Sequence, residues 1–147
     1  MENFQKVLSG DGESYSVNVD GVGKKVITLT ASATLSANDS GALILIATDA
    51  LVVSLPATAE GLIYHFRNTG AAGNNIITVS PVAADGISGT ITLAATVVVL
   101  DGTVDKDIVN TKASSVAGDS VTLEGTGVTG VTAWVATSSS GIWAQGA

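Results

Sequence analysis

Leu62-Ile63-Tyr64-His65-Phe66-Arg67 decides the fold class. In an extended chain, successive side chains point to opposite faces. Leu62, Tyr64 and Phe66 then share an apolar face, and His65 and Arg67 share a polar one. Working outward, the same rhythm recurs. Upstream lie Val26-Ile27-Thr28-Leu29-Thr30, the run Ala42 to Ala47, and Leu51-Val52-Val53-Ser54-Leu55, which Pro56 stops. Downstream, Ile76-Ile77-Thr78-Val79 ends at Pro81. Thr90-Ile91-Thr92-Leu93, Val97 to Leu100, Val121-Thr122-Leu123, Val131 to Ala136 and Ile142-Trp143-Ala144 follow. The run Ala42 to Ala47 reads as a strand buried on both faces. Between the runs stand Asn38-Asp39-Ser40-Gly41, Asn68-Thr69-Gly70, Asp85-Gly86 and Asp101-Gly102, residues that turn a chain cheaply. No segment carries a capped stripe of 3.6-residue period; a single helical turn at Thr103 to Asn110 is the most that the pattern allows. The expectation is an all-β protein: a single antiparallel β-sandwich or jelly-roll-like domain of about ten short strands over residues 13–147. Residues 1–12, with Phe4, Val7 and Leu8 ahead of Ser9-Gly10-Asp11-Gly12, read as an apolar-tipped N-terminal arm on a flexible joint.

Composition narrows the function. The 147 residues contain no cysteine, which removes disulfides, thiolate nucleophiles and cysteine-based metal centres. Charged residues make up 13% of the chain, about half of the usual share, so Ser, Thr, Asn and Gly must supply the surface polarity. Such a surface suits assembly onto another protein. A net charge of −7 with six lysines and arginines argues against nucleic acid and against an anionic membrane surface. The longest apolar runs are far short of the ~20 residues that span a bilayer. Met1 to Lys6 lacks the cationic start and apolar stretch of a signal peptide, so synthesis and first residence in a cytoplasm are expected.

The motifs that could carry chemistry read as structural. His65 is the single histidine and has no nucleophile-elbow Gly-x-Ser-x-Gly beside it. Asp105 and Asp107 flank Lys106 in a loop that matches a calcium loop poorly, because its glycine comes too early and no glutamate closes it. Gly125-Thr126-Gly127-Val128-Thr129-Gly130 spells Gly-x-Gly-x-x-Gly, but a strand follows it where a nucleotide fold needs a helix. No catalytic residue, cofactor or metal is expected. Trp134 and Trp143 lie on consecutive strands, where they could face each other across a hairpin as core, as a subunit interface or as a sugar platform.

Leu35-Ser36-Ala37-Asn38-Asp39-Ser40-Gly41, then Val53-Ser54-Leu55-Pro56-Ala57 and Gly61-Leu62-Ile63-Tyr64-His65-Phe66, resembles a pattern of bacteriophage virion proteins. Ile87-Ser88-Gly89 and a closing hairpin with Trp134, Gly141 and Trp143 extend the likeness, which covers Thr34 to Gly89 and the end of the chain. Proteins with this pattern include capsid decoration (cement) proteins and β-rich parts of tail fibres and baseplates. The resemblance implies a viral structural protein in the particle. A single compact domain without repeats or heptads favours the head. The expected role is then a non-enzymatic homotrimer, made in the host cytoplasm. It binds the major capsid protein on the outer surface of the head and stabilises the shell by mass action. Phe4, Val7, Leu8, Trp134 and Trp143 are the expected interface residues. The alternative is a tail- or fibre-associated carbohydrate- or receptor-binding β module that uses Asn74, Asn75, Asp85 or an exposed tryptophan.

Overall fold

A computed structural model describes residues 4–8, 14–18, 25–93 and 95–146, the first two stretches as backbone. Strands β1 (Phe4–Leu8) and β2 (Ser14–Asn18) pair antiparallel in a two-stranded sheet of their own. The Ser9-Gly12 joint lies outside the described residues.

From Val26 the chain advances as a two-sided coil. Strands β3 (Val26–Leu29), β4 (Ala33–Thr34), β5 (Leu43–Ile46), β6 (Leu51–Ser54), β7 (Ile63–Asn68) and β8 (Ile77–Ser80) fall alternately into two sheets. β3, β5 and β7 lie side by side and parallel in one sheet; β4, β6 and β8 do the same in the other. The second half closes the body with β9 (Gly86–Leu93), β10 (Thr96–Val104), β11 (Ile108–Asn110), β12 (Ser120–Gly125), β13 (Trp134–Ser140) and β14 (Trp143–Gln145). The seven-stranded sheet has the order β10-β9-β13-β12-β7-β5-β3, and the five-stranded sheet β14-β11-β8-β6-β4.

The expected all-β class holds, and the expected antiparallel arrangement is corrected. Both sheets are mixed, with five parallel pairings among the described residues. The physical reason is the path between strands. Parallel neighbours need a long connection, and here the connection from β3 to β5 runs through β4 of the opposite sheet. Turn residues such as Asn38 to Gly41 therefore bend the chain from one sheet to the other, not back along the same sheet as a hairpin would. The segment Thr103 to Asn110 holds the end of β10, a turn at Asp105 with φ 61° and β11. It contains no helical turn.

The period-2 pattern sets the faces. In β7, Tyr64, Phe66 and Asn68 are buried while Arg67 is exposed. In β5 only Ile44 and Ile46 are fully buried, and Leu43 and Leu45 stay half-buried on the outer face. The expectation of burial on both sides fails for β5 because, among the described residues, no second layer covers that outer face. The inner faces of both sheets share one core, with Ile44, Phe66 and Leu123 from the larger sheet and Val53, Ile77, Ile108 and Trp143 from the smaller.

At the corner before β5, a short 3-10 turn at Ala37–Asp39 is capped by Ser36, whose N–H and hydroxyl both donate to Asp39 Oδ2. The Tyr64 hydroxyl donates to the Ser36 carbonyl at 2.8 Å. The Lys25 ammonium 2.8 Å from Asp39, helped by the Ser36 donors, holds the Asp39 carboxyl down at about 2. A folded-state pKa below the unfolded one contributes stability above pH ~4 that is lost as pH falls towards 2. The pair is solvent-accessible, so its worth is at most about 1 kcal/mol. Asp39→Asn is expected to lower stability by up to that amount at pH 7. Urea unfolding should show the gap to wild type closing between pH 4 and 2; a gap constant with pH would refute the assignment.

Candidate functional site

Two surface features stand out on the larger sheet. The first is its β9–β10 end. Among the described residues β10 is an edge strand, so one row of its backbone N–H and C=O groups has no strand beside it. Val98 packs inward against the core, and its neighbours Val97 and Val99 point out, each 71% exposed. The register places Val97 opposite Thr92 and Val99 opposite Thr90, so the outer surface of this hairpin is valine and threonine. The sequence from Thr90 to Leu100 contains no charged residue. Edges are normally protected by charge, proline or a bulge. Here the register shift among the described residues lies beyond this stretch, between Asp101 and Val104.

The second feature is a groove of about 300 Å³ on the outer face, lined by Leu43, His65, Arg67, Ser120, Thr122 and Ser138 together with Phe66. Strand register builds it. One cross-strand row runs Leu43, His65, Thr122, Ser138, and the next runs Leu45, Arg67, Ser120, Ser140. His65 Nδ1 lies 3.0 Å from the Thr122 hydroxyl oxygen, which fixes the ring over the groove. Arg67 is the single arginine of the chain, and its guanidinium makes no hydrogen bond or ion pair among the described residues. Glu124 is the nearest acid along β12, one outward position past Thr122 and opposite Ile63, beside the groove and not in its lining.

The residues singled out from sequence are placed differently. Trp134 and Trp143 are fully buried within this one chain, in different sheets. The expected Trp–Trp hairpin therefore does not form, and both rings belong to the hydrophobic core. Trp134 packs tilted against Tyr64 with ring centroids 5.7 Å apart, and Trp143 Nε1 donates to the Ser140 carbonyl at 2.9 Å. Of the expected carbohydrate residues, Asn74 is exposed, whereas Asn75 and Asp85 are buried. Asn75 donates to Asn68, and the Asp85 carboxyl accepts the Thr58 N–H at 2.9 Å. The side chains of Phe4, Val7 and Leu8 lie outside the described residues. Gly125 to Gly130 forms the link between antiparallel β12 and β13, as its position before a strand implied. Asp105 and Asp107 sit in the β10–β11 link, and no cluster of three metal-ligating side chains occurs among the described residues.

Sequence reading missed Val97 and Val99 as exposed residues. The available signal was the lack of any charge from Thr90 to Leu100. It also missed Ser120, Thr122 and Ser138, because serines and threonines are everywhere in this chain and only register gathers these. No protein-family model matches the chain, and no curated protein matches it.

Proposed function

We propose that this protein is a structural, non-enzymatic component of a bacteriophage virion: a β-sandwich decoration protein that binds the outer surface of the head and stabilises the shell. The observation that supports the reading is the β9–β10 edge, uncharged from Thr90 to Leu100, with its exposed valines. An apolar strand edge left open on a free monomer invites uncontrolled association, so a protein that keeps one has use for it in an assembly. Pairing of that edge with a strand of the major capsid protein supplies main-chain hydrogen bonds, and Val97 and Val99 supply apolar contact. The sequence likeness to virion proteins points the same way, as does the low charge of the chain. A homotrimer at three-fold positions would add avidity, and binding the expanded shell in preference to its precursor would stabilise it by mass action.

Co-sedimentation with expanded heads that lack the protein tests the reading. Wild type is expected in the pellet at a fixed ratio to the major capsid protein, and light scattering is expected to give three times the chain mass. The double variant Val97→Lys, Val99→Lys is expected to stay in the supernatant while its thermal midpoint changes little, since both side chains are exposed. Wild type that fails to pellet would overturn the virion reading; a double variant that pellets normally would overturn the role of the edge.

A further inference from the structure

The outer-face groove stands apart from the β9–β10 edge, and its chemistry asks for a ligand of its own. We infer that it is a binding site for an acidic saccharide, with Arg67 taking the sugar carboxylate and Ser120, Thr122 and Ser138 taking ring hydroxyls. The inference is independent of the virion reading.

Charge distribution is the first argument. The chain carries 13 acidic residues against six lysines and arginines, yet the groove lining holds the only arginine, the only histidine and no acid. Two of the described lysines, Lys25 and Lys112, meet a carboxylate, that of Asp39 and that of Asp49. Arg67 is left with its fork of donors open, and such a fork matches a planar carboxylate in bidentate fashion.

The remaining lining says which carboxylate. Phosphate sites draw on free backbone N–H groups or on several cations. β7 and β12 each have a strand on both sides, so their backbone N–H groups are committed to the ladder, and Arg67 is the only permanently charged cation in the lining. What the groove does offer is three neutral hydroxyls on the β12–β13 side and the half-buried Leu43 on the other. Hydroxyls that both donate and accept suit a polyol, and an aliphatic wall suits the C–H face of a sugar ring. A volume of about 300 Å³ is at the small end of ligand pockets, enough for one or two rings. The fully buried Trp134 and Trp143 take no part, so the site rests on charge and hydroxyls without aromatic stacking.

The test is amide chemical-shift mapping on the whole chain with sodium glucuronate, and with glucose and inorganic phosphate at equal concentration. Glucuronate is expected to move the amides of Leu43, His65, Arg67, Ser120, Thr122 and Ser138, with at least tenfold weaker binding for Arg67→Gln. Arg67→Lys, which keeps the charge and loses the fork, is expected to bind several-fold more weakly than wild type. Both substitutions are exposed, so the rest of the spectrum should superimpose. Unmoved groove amides, or an Arg67→Gln protein that binds as well as wild type, would overturn the site. Phosphate binding as tightly as glucuronate would overturn the saccharide, and glucose binding as tightly would overturn the role of the carboxylate.

Discussion

Asp119→Ala is expected to cost about 2–4 kcal/mol of folding stability, read as a fall of roughly 10 °C in the thermal midpoint. Asp119 is 2% exposed and closes a chain of buried polar groups that ties the sheets together at one end. Asn75 Nδ2 donates to Asn68 Oδ1, Asn68 Nδ2 to Asn110 Oδ1, and Asn110 Nδ2 to Asp119 Oδ2 at 2.8 Å. Asn68 belongs to β7 of the larger sheet and Asn110 to β11 of the smaller. The same Asp119 oxygen also accepts the Val116 N–H at 3.0 Å, which pins the 111–119 link. Alanine takes the acceptor from the part-buried Val116 N–H and from one hydrogen of the buried Asn110 Nδ2, whose other hydrogen keeps the Ile142 carbonyl at 3.0 Å; each lost acceptor costs about 1–3 kcal/mol, the part-buried one at the low end. Asp119→Asn keeps one oxygen for those two donors and is expected to cost clearly less. Equal losses for the two variants would show that the network contributes no more than packing.

Gly141 checks the geometry. It has φ +85°, and a Cβ there would stand 2.0 Å from Asp119 Oδ1 and 2.8 Å from Asp119 Cβ. Gly141→Ala is therefore expected to be severe alone and milder in the Asp119→Ala background, where the nearest atom is gone. The cost should not vanish, because the second distance and the left-handed backbone remain. A double-mutant cycle reads the difference directly; additivity would mean that the two residues do not meet.

That network also marks the limit of what the sequence discloses. Which side chains face in was legible wherever the strand was half-buried: Tyr64 and Phe66 inward, Arg67 outward, and strands ending before Pro56 and Pro81. An alternating pattern reports a face, and it carries no information about which strand lies alongside. So the parallel coil from β3 to β8 was hidden, and Trp134 and Trp143 read as partners although they belong to different sheets. Asn75 and Asp85 read as exposed loop residues, since asparagine and aspartate favour turns. Here the turns are corners between sheets, where backbone donors are buried and polar side chains satisfy them. The groove was half legible. A single arginine and a single histidine on one strand face could be counted, but the hydroxyls beside them come from two other strands by register alone.

The two tryptophans give a paired prediction with effects as large. Trp134→Ala and Trp143→Ala are each expected to cost about 3–5 kcal/mol through lost burial and an uncollapsed cavity. Phenylalanine separates them. Trp143→Phe removes the Nε1–H that the Ser140 carbonyl accepts at 2.9 Å, so a cavity adds to a lost hydrogen bond, about 2–3 kcal/mol together. The Trp134 Nε1–H is buried and meets no acceptor among the described residues. Its removal relieves a desolvated donor while the smaller ring opens a cavity, and the two effects oppose each other. Trp134→Phe is thus expected to cost about 1 kcal/mol or less, with its ring still tilted against Tyr64 as Trp134 is at 42°. Each variant keeps one tryptophan as a fluorescence reporter, so urea unfolding can follow both at an unchanged m-value. If Trp134→Phe proves as costly as Trp143→Phe, the Trp134 N–H has a partner in solution and its pocket is polar. The expected order, with Trp143→Phe the costlier, would mean that the indole of β13 is held by shape alone and that of β14 by shape and a hydrogen bond.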